Sequence, residues 1–369
     1  MVPLRFGVVG VGGMGGHHAR NLAQMPETEL VAVADVNAAT AERVASETGA
    51  RAFPNASALF GSGIEAVLIA TPHPFHPEVA REAASRGVHV LCEKPLAVSV
   101  KAADEMVAAC ERAGVLLGVM FQQRVEGVRR AMKAMIAGGE LGELHRISMS
   151  APWYRTQAYY DSGAWRGTWR GEGGGILMNQ APHSLDGFLW LFGRSPQRVQ
   201  AICQTRLHQI EVENVAVAIC DYGHGVTGQF SASTSEIPSP ERVEIAGDKG
   251  LLVLDERGLR FLELETPLSQ HLREAKGSFD APPMSWRPVE HDSGGQDHGV
   301  VIRAFCRAVR ENDPSQLVAS GRDGVAALEL ANAILLAGLT REEVALPLDR
   351  DAFESALEDL RSGARSLGA

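Results

Sequence analysis

Cysteine is scarce in this chain, and its placement rules out two roles at once. The five residues (Cys92, Cys110, Cys203, Cys220 and Cys306) are odd in number, scattered and never in CxxC spacing. That excludes a disulfide framework or a thiolate metal cluster and suits buried, reduced thiols. No run of 18 or more apolar residues stands out, so no membrane span is expected. The opening Met-Val-Pro-Leu-Arg-Phe runs straight into a β-rich stretch, without a basic segment followed by an apolar core, so the expected compartment is the cytoplasm. Cations are in deficit, with 35 Lys+Arg against 45 Asp+Glu and a net charge of −10, which argues against nucleic acid as the main partner. Repeats and low-complexity tracts are absent. What is present, 45% hydrophobic and 22% charged residues over 369 positions, is an ordinary globular composition. The chain is too long for one simple core, so two domains are expected.

The first 120 or so residues alternate short apolar runs (Leu4–Val9, Leu30–Ala34, Ala66–Ala70, Val88–Cys92, Val115–Met120) with helix-like segments near 14–25, 39–48, 77–86 and 99–113. Near-continuous apolar strands separated by helices predict a doubly wound parallel sheet, a Rossmann-type domain over 1–122. Beyond Gln123 the pattern changes. A helix over 126–137 precedes alternating runs at Arg198–Leu207, Asn214–Asp221, Val226–Ser233, Glu241–Ala246, Leu251–Asp255 and Leu259–Leu264. Turn signals at Tyr222-Gly-His-Gly225 and Gly247-Asp-Lys-Gly250 join several of them. These predict an α+β domain over 123–369, a large, mostly antiparallel open sheet with helices at 299–311 and 321–338. The Pro- and Ser-rich stretch 278–288 reads as a loop.

Gly10-Val-Gly-Gly-Met-Gly15 follows the first apolar run and opens a helix. Gly10 permits the tight turn, Gly12 lets the backbone approach a pyrophosphate, and Gly15 lets helix and strand pack closely, with Gly13 and Met14 completing the loop. Asp35, twenty residues past Gly15, ends the second run. An acid there accepts from adenosine ribose hydroxyls and repels a 2′-phosphate, and Val36 and Asn37 supply no cation, so NAD is favoured over NADP. His17 and His18 read as solvated residues of the first helical turn.

Ligands of such sheets bind beyond the strands' carboxyl ends. Ala70-Thr-Pro-His-Pro-Phe-His76 and Glu93-Lys-Pro95 lie at two of these ends. Thr71 and Pro72 would wall the nicotinamide-side ribose; His76, Glu93 and Lys94 complete the expected cofactor edge, with His76 a locally bonded helix-start residue. His73-x-x-His76 lacks a third ligand at metal spacing, and no metal is expected. Lys94 beside a nicotinamide cation suits a proton relay or a donor orienting a hydroxyl. The plainer reading is a surface lysine paired with Glu93.

Farther on, Gly173-Gly-Gly-Ile-Leu-Met-Asn-Gln-Ala-Pro-His183-Ser-Leu-Asp186 precedes an apolar helical run. Pro182 belongs near a helix start, which predicts Asn179 near the N-cap and His183 about one turn in. A near-neutral histidine there could take a hydroxyl proton. Asn179 could cap the helix, position a ligand, or both, but it carries no charge. Asp186 could fix the imidazole. Aromatic Trp153–Tyr160 and Trp165–Arg170 precede the glycines, and Tyr154, Trp165 and Arg166 are candidate sugar contacts, with Gln122 and Arg124 nearby.

Together G-x-G-x-x-G, Asp35, Thr71-Pro72…His76, Glu93-Lys94-Pro95 and Gly173-Gly-Gly…His183-x-x-Asp186 resemble the glucose–fructose oxidoreductase/inositol dehydrogenase/rhizopine-catabolism (Gfo/Idh/MocA) family over nearly the whole chain. The resemblance implies NAD(P)-dependent oxidation of a ring secondary alcohol of a sugar, glycoside, cyclitol or sugar acid, and homodimers or homotetramers packed through the open sheets. It maps the family's usual D-x-x-x-H onto Asn179 and His183. Members with Asn here are similar to nucleotide-sugar or uronate 3-dehydrogenases, so a carboxylated substrate fits. Two other readings stay open: an enzyme that retains NAD and recycles the hydride in cleavage or epimerisation, and a non-catalytic sugar sensor on the same fold.

Overall fold

The computed structural model describes Val2–Leu367. The chain divides into two compact units: residues 1–125 with 171–173 and 296–328, and residues 126–170 with 174–295 and 329–369.

In the first unit six strands, β1 (Leu4–Val9), β2 (Thr28–Ala34), β3 (Arg51–Phe53), β4 (Ala66–Ile69), β5 (His89–Cys92) and β6 (Leu117–Val119), form a sheet in the order β3-β2-β1-β4-β5-β6. Every pairing is parallel. Burial explains the sequence pattern: β4 is buried at all four positions and β1 at five of six, as strands covered on both faces must be. The reversal of strand order between β1 and β4 sets the ligand-binding edge. The returning segment 296–328 completes this core. Phe305 packs on Phe6 with ring centroids 6.0 Å apart, Arg310 bonds Glu65 at 2.9 Å and the Pro3 carbonyl at 2.7 Å, and Val119 N–H donates to the Ala319 carbonyl at 3.0 Å.

The second unit holds nine strands: β7 (Leu144–Pro152), β8 (Arg198–Gln204), β9 (Val215–Asp221), β10 (Thr227–Ser233), β11 (Arg242–Gly247), β12 (Gly250–Asp255), β13 (Gly258–Leu264), β14 (Met284–Pro288) and β15 (Val344–Ala345). Their order is β14-β13-β12-β11-β7-β10-β9-β8-β15. All pairings are antiparallel except β7 with β10. Burial alternates along β9 and β10, the signature of a sheet with one covered face. The helix Pro182–Phe192 packs on that face, Phe188 meeting Phe230 edge-on at 5.7 Å.

Several expectations need correction. The stretch read as a loop over 278–288 ends in a strand, β14, paired along β13; its prolines sit at positions 282, 283 and 288, clear of Met284–Arg287. His18 is fully buried rather than solvated. The helix Gly321–Thr340 is long and apolar enough to cross a membrane by length and composition, although 67% of its most apolar window is buried inside the protein. Its run is broken by Glu329 and Asn332, and its burial is that of a core helix.

Candidate active site

The cofactor side of the first unit is built by the Gly loop. Gly10 holds φ +81°, and a Cβ there would lie 2.8 Å from the backbone of Ala70 and Thr71. A Cβ on Gly15 would lie 1.7 Å from the Gly10 carbonyl oxygen, whereas Gly12 and Gly13 face open space. So Gly10 and Gly15 serve the packing of helix Gly13–Gln24 on the sheet, and Gly12 and Gly13 leave the approach clear. That helix has no side-chain cap and no acid in its first turn, so its N–H groups and partial positive charge face an anion unscreened. Asp35 takes one backbone N–H on each oxygen, Val11 at 2.9 Å and Asn37 at 2.9 Å. This fixes the carboxylate while leaving lone pairs for hydroxyl donors. The Thr71 hydroxyl is buried without a hydrogen-bond partner at the end of β4. A cradle of open glycines, a held acid and an orphaned hydroxyl fit a dinucleotide.

An Asp35→Ala variant should raise the KM for NAD by roughly 10- to 100-fold, the weight of a charge-assisted pair of hydrogen bonds, and narrow the preference over NADP. Steady-state kinetics with both cofactors reads this out; an unchanged NAD/NADP ratio would remove Asp35 from cofactor selection.

Beyond β5, the Glu93 side chain bonds His18 Nε2 at 2.6 Å and also accepts the Lys94 N–H at 3.1 Å. Burial pushes the Glu93 carboxyl up, but the His18 hydrogen bond and charge, with Lys94 added, outweigh it and hold its pKa at about 2. Glu93 is thus tied back into the first helix. His76, fully buried, has both ring nitrogens against carbonyls, Pro95 at 2.9 Å and Thr71 at 2.7 Å, so it pins the β4 and β5 ends together. Burial, then the charges of His76 and Lys94, push the His73 pKa to about 3. Of the two candidate contacts after β6, Gln122 and Arg124 are both buried, and Arg124 bonds Asp323 at 3.0 Å and the Val318 carbonyl at 3.2 Å. Arg124 therefore has an internal structural role.

In the second unit the glycine run becomes a clamped turn. The Glu213 carboxylate, fully buried, accepts from the N–H of Gly175 at 2.9 Å and of Leu177 at 3.1 Å, while its own carbonyl accepts from Ile176 at 2.9 Å. A Cβ on Gly175 would lie 1.7 Å from that carbonyl oxygen, so only glycine fits. The Gly175 carbonyl then accepts from Asn179 N at 3.0 Å, and the Ile176 carbonyl from Ala181 N at 2.8 Å. The helix begins at Pro182, with Ala181 at the N-cap position. Asn179 is therefore not the cap. It lies in the preceding turn, and His183 is the second helical residue rather than one turn in. His183 and Asp186 are both buried.

Around this turn Tyr159 receives hydrogen bonds from Arg166 and, at 3.1 Å, from Gln180. The Arg166 guanidinium also lies 4.4 Å from the centroids of both the Tyr159 and Trp165 rings. Tyr154 and Trp165 are exposed. A cavity of about 540 Å³ opens beside Arg166, lined also by Tyr160, Gly163, Thr168 and Ile210. Tyr159, Gln180 and Glu213 were missed from sequence. Tyr159 lay within the aromatic stretch; Glu213 gave no local signal, because its partners lie nearly forty residues away.

The model of an oxidoreductase family with an NAD-binding Rossmann fold matches residues 4–121, and that of the GFO/IDH/MocA C-terminal domain matches 129–253. A rhizopine catabolism protein MocA from Rhizobium meliloti is 30% identical over 63% of this chain and 71% of its own length. This chain belongs to the Gfo/Idh/MocA family. An inositol 2-dehydrogenase from Rhizobium meliloti strain 1021 is 24% identical over 93% of the chain and 99% of its own. Among solved structures, the WlbA dehydrogenase from Bordetella pertussis, in complex with NADH and UDP-GlcNAcA, is 29% identical, with a TM-score of 0.79 over 94% of this chain and all of that one. As a Gfo/Idh/MocA oxidoreductase the chain uses NAD, and the Gly10–Gly15 loop, Asp35 and Thr71 fit that cofactor.

Proposed function

We propose that the enzyme transfers a hydride between a ring secondary alcohol and NAD, and that the alcohol belongs to a carboxylated or otherwise anionic sugar. When bound, the nicotinamide accepts the hydride. His183 takes the hydroxyl proton as general base, Lys94 donates a hydrogen bond to the reacting oxygen and relays the proton, and Asn179 positions without charge. The observation that carries this reading is the clamped turn. A fully buried carboxylate, Glu213, is spent on holding the backbone that delivers Asn179 and His183, an investment that suits a side chain required at a fixed position.

The substrate class rests on Arg166, held over Tyr159 and Trp165 beside the 540 Å³ cavity, a planar cation suited to carboxylate or phosphate. The UDP-GlcNAcA bound by the WlbA relative points the same way. Assayed with NAD against uronates, nucleotide-linked uronates, neutral sugars and inositols, the protein should form NADH with an anionic sugar fastest. Activity confined to neutral cyclitols would overturn the substrate class, and product formation without net NADH would favour hydride recycling.

Asn179→Asp places a negative charge near His183, which raises the histidine's pKa, so the acid limb of the kcat/KM profile should move to higher pH. An unmoved limb would separate the two residues functionally. We further infer a cytoplasmic homo-oligomer. All five cysteines are buried and free, and Ile202, Val217 and Ile219 form an exposed apolar strip on adjoining β8 and β9, with Ile202 directly opposite Val217. Light scattering should give a mass at least twice 39.5 kDa.

A further inference from the structure

Three imidazoles and a carboxylate meet in the first unit, in a cluster that the hydride-transfer chemistry does not use. His17 and His18 lie on the first helix, Glu93 follows β5, and His298 opens the helix His298–Glu311. A ring nitrogen of His18, a ring nitrogen of His298 and a carboxylate oxygen of Glu93 all lie within 4.8 Å of one another. The His18 and His298 ring centroids are 5.1 Å apart at 71°, and His17 stands 5.5 Å from His298.

The hydrogen-bond pattern points to a missing partner. His18 is fully buried, and its Nδ1 has no hydrogen-bond partner. The Nε2 of His298 is likewise buried without one. Two buried, unsatisfied imidazole nitrogens on rings whose centroids are 5.1 Å apart call for an ion or a water. On its other nitrogen His18 is held by Glu93 at 2.6 Å, the carboxylate–histidine support that orients a metal-bound imidazole and raises its basicity.

We propose that His18, His298 and Glu93 form a binding site for a zinc-like divalent cation. The donor set decides the class. Two nitrogens and one carboxylate oxygen suit Zn²⁺ or Co²⁺, whereas Mg²⁺ and Ca²⁺ take oxygens. Glu93 either ligates directly or backs His18, and His17 stands at the open side with its Nε2 taken by Asn21 at 3.1 Å. Small ring rotations bring the donors from the 4.8 Å limit to the spacing of bonds of about 2.0–2.2 Å. The site joins the helix that opens the cofactor loop to the helix that returns from the far end of the chain, so occupancy ties 296–328 to 1–125.

Tag-free protein stripped with chelator is titrated with Zn²⁺ by calorimetry, and with Co²⁺ by visible absorption. The expected result is one equivalent per chain, tetrahedral Co²⁺ bands, and a melting temperature raised by Zn²⁺. His298→Ala should weaken Zn²⁺ affinity by at least about ten-fold and abolish the Co²⁺ bands, while metal-free dehydrogenase activity and NAD binding stay at wild-type level. Absence of stoichiometric binding to the wild type, or Zn²⁺ affinity unchanged in His298→Ala, overturns the site and leaves a buried water as the partner of the two nitrogens. Neither outcome depends on the substrate assigned above.

Discussion

Replacing His183 with alanine is expected to lower kcat by roughly 10²- to 10⁴-fold, the usual worth of a positioned general base, with NAD affinity unchanged. The structure sharpens why. His183 is the second residue of its helix, where the macrodipole disfavours a positive ring. Asn179 carries no charge with which to stabilise the imidazolium formed as the proton transfers. If Lys94 relays the proton as proposed, Lys94→Ala should cost about as much. Stopped-flow measurement of hydride transfer, with NAD binding followed by fluorescence, separates chemistry from binding. A transfer rate within about three-fold of wild type in His183→Ala would place the base elsewhere.

Glu213→Ala should be nearly as damaging by another route. The substitution removes the carboxylate oxygens that accept from the Gly175 and Leu177 N–H groups. Leaving such buried groups unpaired costs about 1–3 kcal/mol each. Chemical denaturation should show a loss of about 2–4 kcal/mol. Among molecules still folded, kcat should fall about 10²-fold, because the turn no longer fixes His183. Gly175→Ala should mimic both effects, since its Cβ would collide with the Glu213 carbonyl. Loss of stability with full kcat in the surviving fraction would reduce Glu213 to a purely structural residue.

The Rossmann half was legible because its signals are local. Leu4–Val9 and Ala66–Ile69 are apolar throughout, and Gly10–Gly15 sits between strand and helix, so period and motif agree. The edge strand Arg51–Phe53 was missed because three residues carry no period. In the second half the alternation of β9 and β10 and their Gly-rich turn were readable, whereas β7, at the centre of the sheet, was missed: its buried Ile147, Met149 and Ala151 alternate with half-buried Ser148 and Ser150 over a short stretch that follows three half-buried positions. Gly175 and Pro182 marked a turn and a helix start, but the cap was placed two residues early because Asn179 is the better capping residue by type. Tertiary hydrogen bonds to Glu213 decide the matter, and no local rule sees them. The His18–Glu93 contact was hidden for the same reason.

The way the first unit is completed has a consequence for synthesis. Its core needs Phe305 against Phe6, Arg310 against Glu65, and the Ala319 carbonyl on β6. When residue 125 leaves the ribosome, those partners have not been made. At about 5–20 residues per second, the parallel sheet waits roughly 10–40 seconds for 296–328, with the apolar surface around Phe6 uncovered. The dinucleotide-binding unit is thus begun well before the segment that finishes it is made, so nascent chains should engage chaperones through that face.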